Sequence, residues 1–433
     1  MTITIYRGID TIGGCITKIS AQGQSVIIDL GHSLGNEADP LANVNAIKDI
    51  CDGVNGILYT HYHGDHIGLF PYVEGNIPQY IGDVSKQLTI RRLQQLAKIN
   101  DDQAEERNQQ LERFGRFQTF QHGEPFCVPG ASGIRITPLR VNHSAADAYM
   151  FLIEADGQVV LHTGDFRSHG YFATDYLEQI YQMAGTKAVD VLITEGTTIN
   201  RQDADKIWSE KKIESVSENI MAKRKYVFYL CSSMDMDRLA SIHNANKKMG
   251  NRPLVCDDFQ KDLMEIFARN YRGEANGIYD FDHYIYSYRP TNEKLAHWML
   301  DKGFTMLVRN TPKFKDWITE LLPKLDSLQV IFLYSQFNGY LDAERECYNK
   351  DLAEFVSLFG DKVRHLHTSG HATPVALADF CNRVNPRSAI IPIHREAGSD
   401  FRNLPLDIHL KSKVVTEATE NGDICIYPLA GVQ

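Results

Sequence analysis

The residues most able to do chemistry lie in the stretch 60–68, which reads THYHGDHIG. This stretch holds His61, His63, Asp65 and His66, so three imidazoles and a carboxylate fall within six residues. Neutral imidazole nitrogens and carboxylate oxygens are the usual protein ligands of zinc and similar divalent ions. Neither burial nor solubility calls for four such residues at this spacing, so the stretch predicts a metal site rather than solvated loop histidines.

The elements that must position these side chains begin with a short apolar run at 56–60, which predicts a buried strand ending where the polar cluster begins. Side chains two apart in an extended segment share a face, so His61 and His63 are expected to bind one ion. The glycine that follows permits a tight bend. Beyond that bend, Asp65 and His66 can face a second ion.

Two more ligand candidates end strand-like runs later in the chain. His143 follows the run 134–141 and Asp165 follows the run 159–163, so both are expected at the sheet edge that carries the metal loop. They are included because a complete ligand set needs donors from other strands. Asp29 also ends an apolar run; it either orients a metal ligand or starts a turn, and the sequence alone leaves both open.

The second half of the chain changes in pattern. Between residues 205 and 360, strand-like and helix-like segments alternate, which predicts a separate α/β domain with a parallel sheet. The stretch SGHA at 369–372 then precedes a predicted helix over 374–384. A predicted strand over 389–393 ends at His394, within the stretch PIHRE.

The pattern H-x-H-x-D-H resembles the signature of the metallo-β-lactamase superfamily. Together with SGHA and PIHRE after an α/β insert, it makes the chain similar to the β-CASP branch, which includes ribonuclease J, the mRNA 3′-end cleavage factors and DNA repair nucleases. The resemblance implies an α/β protein with a four-layer αββα metallo-β-lactamase fold, formed by residues 1–204 and 361–433. A Rossmann-like β-CASP domain is expected as an insert at 205–360.

The resemblance also implies roles for individual residues. Seven of them take the positions of the family's metal ligands: His61, His63 and His143 for the first ion, Asp65, His66 and His394 for the second, and Asp165 as the bridge. The two divalent ions are expected to be Zn²⁺, with Mn²⁺ as the alternative, and to activate a water for attack on phosphorus. Asp65, Glu195 and His371 take catalytic positions, and the last two supply or orient the proton for the leaving alkoxide.

Phosphate contacts are expected from two short polar stretches. Ser369, Gly370 and His371 read as a turn that opens a helix, where backbone N–H groups and the serine hydroxyl can hold a phosphate. Ser232 and Ser233 lie at a strand-to-helix turn of the predicted insert. They either contact a phosphate or cap the helix, and the sequence leaves both open.

Composition limits the choice of partner. With 55 acidic against 45 basic residues, the chain has a formal net charge of −10, which argues against a broad basic surface for nucleic acid. We expect few phosphate contacts, from residues such as Arg167, Arg364 and Arg395, in a cleft that admits a single strand. The expected activity is a two-metal nuclease acting on single-stranded RNA. The alternative is hydrolysis of a small phosphodiester, thioester or lactam, because fold does not fix function.

Hydropathy and cysteine spacing bear on the cellular location. No apolar run approaches the roughly 20 residues needed to cross a membrane, and the N-terminus lacks the pattern of a signal peptide. The eight cysteines include no C-x-x-C pair; they lie at positions 15, 51, 127, 231, 256, 347, 381 and 425. These features predict a cytoplasmic protein with reduced thiols, and they leave open whether it forms a homo-oligomer.

Overall fold

The computed structural model describes residues 1–35, 38–99, 101–201, 207–250, 252–271, 276–281 and 285–415, and the backbone of 425–428. The chain divides into a first unit, Met1–Ile207 with Gly370–Gln433, and a second unit, Trp208–Ser369. The predicted boundary between 204 and 205 lies outside the described residues. The insert was predicted to end at 360, but the strand Val363–His365 pairs with its sheet.

The strands of the described residues follow in chain order: β1 (Thr2–Arg7), β2 (Ile16–Ala21), β3 (Gln24–Ile28), β4 (Gly56–Leu58), β5 (Gln79–Gly82), β6 (Gln118–Phe120), β7 (Arg135–Val141), β8 (Ala148–Ala155), β9 (Gln158–His162), β10 (Val191–Glu195), β11 (Tyr226–Cys231), β12 (Leu254–Cys256), β13 (Ile285–Ser287), β14 (Phe304–Val308), β15 (Val330–Ser335), β16 (Val363–His365), β17 (Ala389–Ile393) and β18 (Cys425–Pro428).

The α-helices of the same residues are α1 (Val44–Ile50), α2 (Gly64–Ile67), α3 (Asp83–Leu96), α4 (Ala104–Gly115), α5 (Ala173–Lys187), α6 (Glu210–Met221), α7 (Met236–Lys247), α8 (Asp258–Tyr271), α9 (Glu293–Lys302), α10 (Pro312–Leu321), α11 (Lys350–Ser357), α12 (Pro374–Val384) and α13 (Ile408–Lys411). Within the described part of the chain, no helix combines the length and the apolar character needed to cross a membrane.

Two sheets form the centre of the first unit. One has the order β18-β1-β2-β3-β4-β5-β6; β18, β1, β2 and β3 pair antiparallel, and β3 to β6 pair in parallel. The other has the order β17-β10-β9-β8-β7, in which β17, β10 and β9 are parallel and β8 is antiparallel to both of its neighbours.

The two sheets pack face to face because each has one continuous apolar face. Ile5, Val26 and Leu58 of the first sheet share a buried core with Phe151 and Ile193 of the second. The opposite face of the second sheet buries its side chains against α5 and α12, and α3 packs on β5 and β6. Helices therefore cover both outer faces, which confirms the predicted four-layer αββα arrangement.

The second unit is built on one parallel sheet of order β13-β12-β14-β11-β15-β16. Its central strands are buried along their whole length and mostly apolar, as expected for strands covered on both faces. Phe228, Met306 and Phe332 of these strands pack with Trp317 of α10 and Phe355 of α11. This confirms the predicted Rossmann-like α/β architecture.

Candidate metal centre

The ends of several strands bring the predicted ligands of the first unit together. Strands β7, β9, β10 and β17 run in the same direction, so their carboxyl ends lie at one edge of the second sheet. His143, Asp165, Glu195 and His394 lie at or just beyond those ends. In the first sheet, parallel β3 and β4 end just before Asp29 and the metal loop. Residues far apart in the sequence thus meet at one place.

The first predicted ligand group consists of His61, His63 and His143, whose ring nitrogens lie within 4.8 Å of one another. Nε2 of His143 is 3.2 Å from Nδ1 of His63. His143 is oriented by its other nitrogen, Nδ1, which donates to the carbonyl oxygen of Gly370 at 2.6 Å. His61 is buried, its Nδ1 contacts the hydroxyl of Thr60 at 3.0 Å, and its Nε2 has no hydrogen-bond partner among the described residues.

The second group consists of Asp65, His66 and His394. Asp65 and His66 lie on the single turn of α2, so the bend expected after the first two histidines is a short helix. Oδ2 of Asp65 is 3.1 Å from Nε2 of His394 and 3.9 Å from Nε2 of His66. His394 has a φ of +50°, a left-handed backbone conformation that is uncommon for a residue with a Cβ.

Asp165 lies between the two groups. Its Oδ2 is 3.1 Å from Nε2 of His66, 3.5 Å from that of His394 and 3.9 Å from that of His143. Its Oδ1 is buried and, within the described ranges, has no hydrogen-bond partner. One carboxylate therefore contacts members of both groups, as a bridging ligand must.

Of the two alternatives that the sequence left open for Asp29, the structure supports the orienting role. Asp29 follows β3 with a φ of +59°, and its Oδ2 accepts a hydrogen bond from Nδ1 of the predicted ligand His66 at 2.7 Å. Asp29 also accepts from the backbone N–H and the hydroxyl of Thr60. Because the hydroxyl proton of Thr60 points to Asp29, its oxygen is left to accept from Nδ1 of His61. These contacts turn Nε2 of both histidines toward the site.

The three histidines of the first group are held neutral. Burial, together with the neighbouring imidazoles, keeps the pKa values of His61 and His143 well below the usual range. Burial also lowers the pKa of His63 to about 4, although Asp65 opposes it. Neutral imidazole is the form that binds a metal ion, so this group is ready to act as a ligand set.

The second group has the opposite electrostatic character. Burial alone would lower the pKa of His66, but the carboxylates of Asp165, Asp29 and Asp65 raise it well above the usual value. Burial is likewise overcome at His394, whose pKa is raised by Asp165 and Asp65. The imidazoles in turn hold the pKa values of Asp65 and Asp165 low, against burial. This pocket of buried carboxylates therefore requires positive charge, which protons or a divalent cation can supply.

The residues fit two divalent ions. Donor atoms around a tetrahedral zinc ion, with bonds of about 2.1 Å, stand about 3.4 Å apart. The separations of 3.1 to 3.9 Å between the donor atoms around Asp165 agree with this value. The unpartnered Nε2 of His61 and Oδ1 of Asp165 are buried polar atoms that a cation would satisfy.

Glu195 and His371, predicted as a catalytic pair, are in hydrogen-bond contact. Nδ1 of His371 is 3.0 Å from Oε2 of the fully buried Glu195 carboxylate. The other carboxylate oxygen accepts from the backbone N–H of Phe166 at 3.0 Å. The imidazole itself is partly exposed, and its Nδ1 is 3.7 Å from Oδ2 of Asp165. A buried carboxylate thus orients an accessible imidazole beside the bridging position.

The sequence analysis did not identify Thr197. Its hydroxyl orients the ring of His394, as the hydroxyl of Thr60 orients the ring of His61. Its hydroxyl donates to Oε2 of Glu195 at 2.7 Å and accepts from Nδ1 of His394 at 2.7 Å. Nε2 of His394 therefore faces the ligand group. The polar run EGTT after β10 was the available signal, but nothing in it indicates which hydroxyl reaches a histidine 197 residues away.

The structure corrects one expectation about the phosphate contacts and excludes the helix-cap alternative for Ser232 and Ser233. The stretch 369–371 does not open a helix, because α12 begins at Pro374 and its N-terminus is capped by Thr373. Helix α7 is capped by Asp235, whose side chain accepts from the N–H of Arg238, so neither Ser232 nor Ser233 is its cap. Ser369, Ser232 and Ser233 belong to the second unit. Their contact with a phosphate stays a prediction.

The expected arginine contacts also differ from the structure. Arg167 is fully buried and donates to Oδ1 of Asn142 at 2.7 Å, so the expectation that it reaches a substrate is wrong. Arg395 is buried as well and pairs with Asp10 at 3.0 Å. Arg364 is exposed, and its guanidinium donates to backbone carbonyls of its own segment.

The sequence of the chain matches a described family over residues 25–228, the β-lactamase superfamily domain. Ribonuclease J of Helicobacter pylori is 26% identical over 208 residues, which cover 46% of this chain and 28% of that protein. Ribonuclease J of Mycobacterium tuberculosis is 24% identical over 262 residues, which cover 58% of this chain and 44% of that protein. Endoribonuclease YSH1 of Mycosarcoma maydis is 24% identical over 178 residues, or 38% and 20% of the two chains. The chain therefore spans less than half the length of each of these relatives.

A solved structure resembles nearly the whole chain. The crystal structure of a protein of unknown function from Enterococcus faecalis V583 aligns with a TM-score of 0.67 over 93% of this chain and 96% of that chain. At 17% identity, this likeness establishes a shared fold.

Proposed function

We propose that this chain, whose residues 25–228 match the β-lactamase superfamily domain that its metal-loop motif predicted, is a hydrolase of phosphodiester bonds that uses two divalent metal ions and acts on single-stranded RNA. The observation that carries the proposal is the position of Asp165. Its carboxylate contacts His66 and His394 on one side and His143 on the other. A shared carboxylate of this kind is what holds two ions at the separation that phosphodiester hydrolysis needs.

Seven residues of the chain would hold the two ions. His61, His63 and His143 would hold one ion through neutral ring nitrogens. Asp65, His66 and His394 would hold the other, with Asp165 shared. When bound, the two ions supply a water of lowered pKa and neutralise the charge that grows on the phosphate.

Glu195 and His371 would handle the proton of the leaving group. The carboxylate of Glu195 accepts from Nδ1 of His371, which keeps that proton on Nδ1. In its imidazolium form His371 would carry a second proton on Nε2, and it would deliver that proton to the leaving oxygen. The burial of Glu195 keeps water from competing for this hydrogen bond.

The choice of RNA is supported by the relatives, which are named ribonuclease J and endoribonuclease. Because the matched segments cover less than half of those proteins, the substrate of this chain is a proposal of its own. Zinc is proposed as the metal, because nitrogen-rich ligand sets of this kind favour it. Manganese is the alternative.

A second candidate is the hydrolysis of a small phosphodiester, thioester or lactam. The specific observation in its favour is that Arg167 and Arg395, two of the expected phosphate contacts, are buried and bonded within the protein. The formal net charge of −10 points the same way. A small substrate would need few cationic contacts.

One experiment separates the two candidates. The purified, zinc-loaded protein is incubated with 5′-phosphorylated single-stranded RNA, with DNA of the same sequence, with duplex RNA, with a small phosphodiester and with a chromogenic lactam. We expect cleavage of single-stranded RNA that is lost on chelation, restored by zinc or manganese, and absent in Asp65→Ala. Turnover of a small substrate alone would overturn the RNA assignment. The absence of bound metal would overturn the proposed chemistry as a whole.

A further inference from the structure

Cys15 lies directly against the second ligand group of the metal centre. It precedes β2 and is 1% exposed. Its backbone N–H donates to the carbonyl oxygen of Asp65 at 3.1 Å, and its own carbonyl oxygen accepts from the N–H of Gly31 at 3.1 Å. The position of the cysteine is therefore fixed relative to the loop that carries the proposed ligands.

The thiol faces two of those ligands. The sulfur of Cys15 and one ring nitrogen each of His66 and His394 lie within 4.8 Å of one another, and all three residues are buried. The other surroundings of the sulfur are closed. The residue packs into the apolar core between the sheets, and a Cβ placed on Gly8 would be only 3.1 Å from Sγ. The thiol is thus enclosed by the protein, and the two imidazoles lie near enough to share an ion with it.

A second observation points to a ligand at this place. Asp165 is 2% exposed, its Oδ2 contacts His66 and His394, and its Oδ1 lacks any hydrogen-bond partner in the described part of the chain. A buried carboxylate oxygen without a partner is costly, and a shared cation would satisfy it. Among the cysteines whose side chains the structure describes, Cys15 alone belongs to a group of potential metal ligands.

We propose that Cys15 is a sulfur ligand of the ion that Asp65, His66 and His394 hold. The inference rests on the proposed function, because it requires the second ion of that site. On coordination the thiol loses its proton to solvent, and the thiolate sulfur donates an electron pair to the metal; no oxidant or reductant is involved. A thiolate ligand selects zinc or another soft divalent ion over manganese or magnesium at this position.

The test is cobalt substitution. The protein is stripped of metal, loaded with two equivalents of Co²⁺ and examined by absorption spectroscopy. We expect an intense near-ultraviolet thiolate-to-cobalt charge-transfer band in the wild type. Cys15→Ser should lose the band while it still binds cobalt through its histidines. Cys51→Ser, a control at another buried cysteine of the first unit, should keep it.

The outcomes separate this inference from the proposed function. Two bound cobalt ions without the band would overturn the role of Cys15 and leave the two-metal site standing. No bound cobalt would overturn the proposed function itself. A band that persists in Cys15→Ser would assign the sulfur to another cysteine. If that variant does not fold, X-ray absorption of the zinc-loaded wild type decides, because a sulfur ligand appears at about 2.3 Å from zinc.

Discussion

The carboxylate of Asp165 contacts both predicted ligand groups, so both ions would depend on it. We expect the wild type to bind about two divalent ions per chain and Asp165→Ala to lose one of them. Elemental analysis after gel filtration measures this directly. Asp379→Ala, the same change at an exposed position of α12, should leave the metal content unchanged. Two retained ions in Asp165→Ala would contradict the bridging role.

His371 should affect turnover without affecting metal content. It lies beside the ligands but bonds to Glu195, so His371→Ala is expected to retain both ions. Turnover should fall by about a hundredfold or more, the usual scale for loss of a general acid or of the group that orients it. The readouts are metal analysis and single-turnover kinetics, with the exposed His409→Ala as control. Loss of metal in His371→Ala would make this residue a ligand instead.

At the scale of the secondary-structure element, residues at the ends of strands orient the predicted metal ligands. Asp29 at the end of β3 orients His66 directly and His61 through Thr60. We expect Asp29→Asn to weaken metal affinity by about 10- to 100-fold, since outer contacts of metal ligands have effects of this size. Asparagine tolerates the positive φ, so the backbone is preserved.

A competition titration with a chromophoric chelator measures this change. Asp156→Asn is the matched control, because Asp156 has a φ of +52° and is exposed in the turn between β8 and β9, away from the site. Equal affinities for Asp29→Asn and the wild type would show that the orientation of His66 does not depend on this carboxylate.

In the second unit, a buried carboxylate follows the end of β12. Asp257 is buried, and it caps α8 by accepting from the N–H of Gln260. It also pairs with Arg309 and Lys313. Burial alone would raise the pKa of this carboxyl, but the two cations and the helix N–H lower it to about 2.

This depressed pKa predicts a pH-dependent stability. The unfolded carboxyl has a pKa of about 3.9, so the charged form stabilises the folded state by about 2 kcal/mol above pH ~4. That contribution should disappear as the pH falls from about 4 to about 2. Asp257→Asn should lack this pH-dependent contribution, whereas the exposed Asp316→Asn should keep it. The chain's three tryptophans all lie in the second unit, so their fluorescence in urea titrations reports its unfolding. A wild-type stability that is flat between pH 4 and 2 would refute the assignment.

At the scale of the whole molecule, charge governs how a nucleic acid would bind. The chain has a net charge of −10, and two of the three arginines expected at the substrate are buried. We therefore expect RNA binding to depend weakly on salt, equivalent to about two or three phosphate contacts. The slope of log K against log salt should then be about −1.4 to −2 for a single strand.

Fluorescence anisotropy with a labelled RNA between low and physiological salt gives this slope, with the slower His371→Ala protein to limit cleavage. A slope that corresponds to six or more phosphate contacts would mean that the RNA binds along an extended basic surface. Neither the composition nor the described arginines indicate such a surface. The wild type with its metal removed is the control for contacts made through the ions.

The amino-acid sequence by itself determined the elements whose signal is local. The H-x-H-x-D-H stretch predicted the superfamily whose domain matches residues 25–228, and apolar runs located the strands that precede His143, Asp165 and His394. The alternation after residue 205 predicted the parallel sheet of the second unit. Short elements such as β13 and α9 were missed, because three to ten residues give too few periods to separate strand, helix and turn.

Only the tertiary structure decided which side chains meet. Thr197 and Cys15 carry no distinguishing local pattern, yet the fold places the first between Glu195 and His394 and the second against His66. Arg167 reads as a free cation in the sequence and is fully buried in the structure. The reason is physical: a strand's own residues fix which face each side chain takes, but the neighbour across that face comes from a distant segment. Its identity is therefore set by sheet order and packing, which no local sequence pattern contains.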